Sequence, residues 1–179
     1  SLTITSYYDR QETMEAGSIT INIADDNSGD DNIETFYQDH PVTLYGGLGA
    51  DIIKGNIKSD FLYGNEGNDK LAGGLGNDEI YGGDGNDTAV FSDVDNTVNL
   101  GITSIQDTGE GWDYLNSIEN INAGAGDDSI TGNSSNNIIN GEAGTDTFIF
   151  SSNRKDYEIT YFSSYLKIVD LRSGSPDGT

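Results

Sequence analysis

The chain has no cysteine among its 179 residues. That excludes disulfide staples and thiolate metal sites, and it leaves the redox compartment open. Basic residues are scarce: 8 Lys and Arg stand against 31 Asp and Glu, a net charge of −23 with a pI near 4.1. So acidic a surface argues against nucleic acid and anionic membrane faces as partners, since both are gripped through basic patches. No run of about 18 apolar residues occurs, so no segment reads as transmembrane. Hydrophobic residues make up only 34% of the chain, too few for an ordinary compact core to hold all of it. Apolar periodicity of helical length is missing as well. The opening residues carry no basic n-region or apolar h-region, and both ends read as cut. The expectation is an excised module of a larger protein.

What the chain does have is glycine, 24 residues of it, in a strict order. From Gly46 to Val90 five nine-residue units stand in succession: GGLGADIIK (46–54), GNIKSDFLY (55–63), GNEGNDKLA (64–72), GGLGNDEIY (73–81) and GGDGNDTAV (82–90). Small residues fill positions 1 and 2, Gly recurs at 4, Asp stands at 6, and an apolar residue usually takes 8. Self-repulsion among so many carboxylates opposes compaction. The acidic excess therefore marks either a disordered segment or an array of sites for cations. Disorder does not explain a nine-residue period, and the cation array is the better reading.

Around this block the chain organises into five stretches. Residues 1–25 alternate as flanking strands, LTITSYY and SITINIA. A first repeat array spans 26–91. It begins with a loose unit, DNSGDDNIE (26–34), and a degenerate one, YQDHPVTLY (37–45). Residues 92–113 break the period, with VNLGITSIQD as two short strands and DTGEGWD as a turn. A second array, 114–150, starts from a degenerate unit, YLNSIENIN (114–122). It continues through AGAGDDSIT (123–131), GNSSNNIIN (132–140) and GEAGTDTFI (141–149). Residues 151–179 carry an alternating hairpin, DYEITYFSSYLKIVDLR, expected to cap the last coil.

In a nine-residue unit the last three residues make a very short strand and the first six turn the chain. Glycine in the turn permits positive φ and close approach of backbone carbonyls. Two units complete a coil of 18 residues, whose short strands stack about 4.8 Å apart in parallel ladders. The position-8 residues Ile53, Leu62, Leu71, Ile80 and Ala89 point inward as a thin core. Such a core is too slim to offset backbone ordering at roughly 1–2 kcal/mol per residue, so bound metal must make up the difference. Neighbouring turns on one side come from units 18 residues apart, pairing Asp51 with Asp69, Asp60 with Asp78, Asp69 with Asp87, and Asp128 with Asp146. Carboxylates plus turn carbonyls form an all-oxygen cage suited to Ca²⁺, whereas Mg²⁺ demands stricter octahedral geometry and soft metals find no ligand. The expected metal residues are Gly47, Gly49, Asp51, Asp60, Gly64, Asn65, Gly67, Asp69, Gly73, Gly74, Gly76, Asp78, Gly82, Gly83, Gly85 and Asp87 in the first array. In the second they are Gly124, Gly126, Asp128, Gly144 and Asp146. Lys58 stands where Gly belongs, so the Asp60–Asp78 site should be weaker or differently built. Asn137 at position 6 is a neutral ligand at best. About four to six ions are expected, bound most strongly between Gly64 and Asp87.

The unit G-G-x-G-x-D-x-U-x resembles the nonapeptide of the RTX (repeats-in-toxin) hemolysin-type calcium-binding family, over roughly 26–150 and with most specificity at 46–90. The resemblance implies an all-β fold. It would be a right-handed parallel β-roll, or β-solenoid, in two stacked repeat arrays with flanking antiparallel strands or hairpins. It also implies passage through a type I secretion apparatus, unfolded in calcium-poor cytosol, and then calcium-driven folding outside the cell. The expected localisation is secreted or extracellular, in places cell-surface associated. Calcium and the attached domains of a parent protein are the expected partners.

No catalytic residue is expected. H-E-x-x-H and G-x-S-x-G are missing, no Asp-Pro bond exists for self-cleavage, and the sole histidine, His40, precedes Pro41 in a turn. The abundant carboxylate pairs are accounted for by the metal turns. The expected function is a non-catalytic calcium-binding module that supports or presents an attached domain. The alternative is a module binding polysaccharide or a cell surface, as part of an extracellular enzyme such as an alginate epimerase or protease. Tyr45, Tyr63 and Tyr81 recur at position 9 and should stack as an outward ladder; cross-strand packing explains that better than a sugar platform. Trp112 is expected to anchor the turn between the arrays.

Overall fold

The computed structural model describes residues 3–5, 19–22, 29–35, 40–150, 157–161 and 166–170, with side chains placed for residue 20, 29–35 and 40–150. All regular structure among them is β, stacked as a parallel solenoid. One sheet runs in the order Thr3–Thr5, Asn32–Glu34, Ile52–Lys54, Lys70–Ala72, Thr88–Val90, Asn120–Asn122, Ile139–Asn140, every neighbour parallel. The opposite sheet stacks Ile19–Asn22, Val42–Leu48, Phe61–Glu66, Glu79–Asp84 and Trp112–Asn116, again parallel. Gln106–Asp107 lies antiparallel on its last edge. A third sheet continues that side with Thr97–Asn99, Ser129–Thr131 and Thr147–Ile149. Tyr157–Tyr161 and Leu166–Asp170 form the expected antiparallel hairpin. Thr3–Thr5 and Ile19–Asn22 join the two sheets as parallel rungs, so they extend the solenoid.

The three-residue strand is a consequence of the unit. Only its middle residue faces inward, as the exposed–buried–half-buried pattern of KLA shows. Ile33, Ile53, Leu71, Ala89 and Ile121 line one wall of the core, and Leu44, Leu62, Ile80 and Leu115 the other. Each full burial of a Leu or Ile contributes about 1.5–3 kcal/mol, one such contribution per unit.

The stretch 92–113 retains more of the repeat than its spacing suggests. FSDVDNTVN (91–99) keeps the nine-residue frame, with Val98 buried in the core. LGITSIQD (100–107) is then an eight-residue excursion. TGEGWDYLN (108–116) is a further unit, with Gly109 at φ 99° and Leu115 facing inward. The degenerate unit expected at 114–122 therefore divides. Tyr114–Asn116 closes unit 108–116 on the second sheet, and SIENIN (117–122) is a shortened six-residue half-coil onto the first. Trp112 falls at position 5 of its unit, which points outward, and it is 55% exposed rather than an anchor.

Candidate metal centre

The six turn residues of each unit place the position-6 side chain beneath the next coil. Its Oδ1 accepts the backbone N–H of position 6 in the preceding coil on the same side, and the repetition builds ladders. Asp31 N–H donates to Asp51 (2.8 Å), Asp51 N–H to Asp69 (2.7 Å) and Asp69 N–H to Asp87 (2.9 Å). On the opposite side Val42 N–H donates to Asp60, Asp60 N–H to Asp78, and Asp78 N–H to Asp113, each at 2.8 Å. A third ladder runs from Asn96 through Asp128 to Asp146, at 2.8 and 3.3 Å. The expected pairs 18 residues apart are thus brought together, linked through one carboxylate oxygen and one amide.

The second oxygen is the informative one. Oδ2 of Asp51, Asp69, Asp78, Asp87 and Asp128 is buried and has no hydrogen-bond partner. An ionised carboxylate oxygen left unpaired in a dry interior is costly, so five such atoms in equivalent places need a common explanation. Each lies against the bare Cα of its own position-1 residue where that residue is glycine. At Gly46 and Gly64, a Cβ would meet both the unit's Oδ2 and the carbonyl oxygen of the next coil's position 1, Gly64 and Gly82 respectively, inside 3.0 Å. Two acceptor oxygens converge there with no donor between them, an arrangement that a hard cation resolves. Among the described residues no group of three or more acidic or histidine side chains converges. A cation here would draw the balance of its ligands from backbone carbonyls.

Burial pushes these carboxyls above the ordinary value of 3.8, in every case as the largest cause. Asp69 rises to about 6 against the amide bond from Asp51, with the charges of Asp51 and Asp87 adding to it. Asp78 rises to about 8, where Asp113, Asp60 and Glu110 contribute repulsion beyond burial. Asp51, Asp60, Asp87, Asp113 and Asp128 shift upward too. Groups that resist ionisation without a counter-charge become strong ligands once one arrives.

Every position-2 and position-4 glycine expected to take part has positive φ, Gly83 at 114° and Gly85 at 150° among them, and Asn65 at position 2 reaches 77°. The position-1 glycines Gly64, Gly73 and Gly82 leave room for the carboxylate oxygen. Asp60 differs from its neighbours, since its Oδ2 accepts the Asn56 N–H at 2.6 Å. Asp146 lies in the last repeat coil and is only half-buried. Two residues missed in the sequence extend the ladders. Asp113 receives Asp78 N–H and the Thr108 hydroxyl. Glu119 reaches Asp87 N–H at 3.0 Å from the shortened half-coil, its extra methylene covering the missing length. The spacing G-x-G-x-D-x-L in 109–115 was the available signal for Asp113. A second ladder at position 5 needs no metal: Asn68 Oδ1 accepts Asn86 N–H, and Asp127 Oδ1 accepts Thr145 N–H, each at 2.8 Å.

Turns of this shape, with orphaned carboxylate oxygens facing backbone carbonyls, define a β-solenoid of the cation-binding kind. The family model of the RTX calcium-binding nonapeptide repeat matches in four copies, at residues 45–79, 55–89, 63–98 and 113–148. Together the copies cover half of the chain, which belongs to that family, and RTX repeats bind calcium. No curated protein matches the chain.

Proposed function

We propose that this chain is a non-catalytic calcium module that folds when Ca²⁺ binds after secretion, and so supports or presents an attached domain. The observation that carries the reading is the set of five buried, partnerless Oδ2 atoms on Asp51, Asp69, Asp78, Asp87 and Asp128. These five carboxylates are the proposed charged ligands, with carbonyls of the glycine turns completing each site. Bound calcium neutralises the oxygens that otherwise repel, and because it prefers the folded chain it stabilises that state by mass action. A net charge of −23 favours the open chain wherever calcium is scarce, the condition under which a type I secretion apparatus takes an unfolded substrate. No helix among the described residues is long and apolar enough to cross a membrane.

The alternative of a polysaccharide-binding face finds less support. Tyr45, Tyr63 and Tyr81 do form the outward ladder, with ring centroids 4.7 and 4.9 Å apart and planes within 8° and 6° of parallel. Rings stacked this way cover one another's faces, and it is an open face that a sugar ring packs against. The ladder is better read as cross-strand stabilisation.

A calcium titration of the chelated chain monitored by far-UV circular dichroism tests the proposal. Coil should convert to β in a single saturable transition, and a spectrum indifferent to calcium would refute it.

A further inference from the structure

Within the blocks 46–90 and 123–149 the repeat turns fall into two shapes. In the first, positions 2 and 4 both have positive φ, as at Gly47 and Gly49, Gly74 and Gly76, or Gly124 and Gly126. All five partnerless Oδ2 atoms belong to turns of this open shape, those of units 46–54, 64–72, 73–81, 82–90 and 123–131. In the second shape neither position has positive φ, and it occurs in GNIKSDFLY (55–63) and GNSSNNIIN (132–140). Both units carry Asn at position 2 and lack Gly at position 4, where Lys58 and Ser135 stand.

In both, the position-2 Asn makes the same three bonds. Its own N–H donates to the position-6 side chain: Asn56 to Asp60 Oδ2 at 2.6 Å, Asn133 to Asn137 Oδ1 at 2.9 Å. Its Oδ1 accepts the position-4 N–H, from Lys58 at 2.7 Å and from Ser135 at 2.9 Å. Its Nδ2 crosses to the coil below and donates to His40 O and Ile118 O, each at 3.0 Å. The position-6 oxygen, orphaned in an open turn, here accepts the position-2 N–H, whether it belongs to the carboxylate of Asp60 or to the neutral amide of Asn137. Charge at position 6 is therefore not what holds this turn.

The location of these turns supplies the reason. Asp60 begins the second ladder, above a coil whose turn holds His40 and Pro41 instead of a glycine repeat. Asn137 lies just past the end of the first ladder at Glu119, above the shortened half-coil 117–122, and its Nδ2 donates to Glu119 O. In both places the coil below lacks the glycine turn of the repeat, and the position-2 Asn side chain spans to its backbone instead. We infer that Asn56 and Asn133 take the place of a calcium ion, latching the ends of the carboxylate ladders by hydrogen bonds, and that the turns at 55–60 and 132–137 bind no metal. This inference rests on the calcium reading of the open turns.

Calcium stoichiometry of the whole chain, measured by titration calorimetry, separates the two ideas. The wild-type count tests the calcium reading, and a wild type binding no calcium would remove both. Given wild-type binding, Asn137→Asp restores a carboxylate to a closed turn and should leave the number of ions unchanged. The double variant Asn56→Gly, Lys58→Gly reopens the turn around Asp60 and should bind one ion more than wild type. An additional ion in Asn137→Asp, or none in a double variant that folds in calcium, overturns the inference. Should the double variant not fold, the Asn137→Asp count decides alone.

Discussion

The blocks 46–90 and 123–149 are made of the same nine-residue unit but finish differently. In the first, Ile53, Leu62, Leu71 and Ala89 are wholly buried and Ile80 nearly so, and Asp51, Asp69, Asp78 and Asp87 are no more than 1% exposed. In the second, Ile130 and Asp128 are equally enclosed, yet Ile139, Phe148 and Asp146 are half-buried and Ile138 stands 65% exposed. The first block has repeat coils above and below it, whereas the second runs out of them. In a quasi-one-dimensional stack each coil is stabilised only by its neighbours. Core burial and carboxylate burial therefore rise and fall together.

Cutting the core on each side tests this difference with the largest effect. Leu71→Ala should cost about 2–5 kcal/mol in saturating calcium, the usual range for a fully buried leucine. Phe148→Ala, in the incomplete block, should cost clearly less despite the larger side chain. Denaturant unfolding in calcium reads both, and equal losses would break the comparison.

Proton linkage sharpens it next. The folded-state pKa values of Asp69 and Asp78 lie at about 6 and about 8, above the ordinary 3.8. In the metal-free chain these groups therefore stabilise the fold fully below about pH 4, and that contribution is lost as pH rises through 6 and then 8. Residual β signal in chelator should be greatest in acid and fade toward pH 8. Calcium affinity should run the opposite way, rising over the same window as protons cease to compete, with proton release on binding near neutrality. Calorimetry in buffers of different ionisation enthalpy measures that release. A metal-free chain that gains β structure as pH rises would contradict the sign.

The smallest effect belongs to the tyrosines, whose ladder decorates the first block alone. Tyr63 stacks on both Tyr45 and Tyr81, so Tyr63→Ser should lose two pairs at about 0.2–1 kcal/mol each. The calcium midpoint should hardly move. A thermal melt and a calcium titration of the one variant check both halves.

The sequence was most legible where the frame is unbroken. Units 46–90 disclose the coil of 18 residues, the inward position 8 and the position-6 ladder, because any other period would scatter Gly and Asp over both faces. Legibility fails where the frame shifts. An eight-residue excursion before Thr108 and a three-residue deficit after Asn116 push TGEGWDYLN out of register with both arrays. Asp113 is hidden with it, and Trp112, which reads as an anchor in the sequence, stands 55% exposed. The latches at Asn56 and Asn133 were illegible for another reason. Asn also stands at position 2 in the open turn of Asn65, where Gly67 at position 4 supplies positive φ. What separates the shapes is the residue two places later, Lys58 or Ser135 against Gly67; Lys58 marks its turn as differently built in the sequence, but the Asn latch shows only once the hydrogen bonds are traced.

The central claim is that partnerless carboxylate oxygens mark the metal positions. Long-wavelength anomalous diffraction from crystals grown in calcium tests it directly. The account predicts anomalous peaks within coordination distance, about 2.3–2.6 Å, of Oδ2 of Asp51, Asp69, Asp78, Asp87 and Asp128. A calcium-saturated crystal with those five oxygens free of metal, and the ions bound elsewhere on the solenoid, would contradict it.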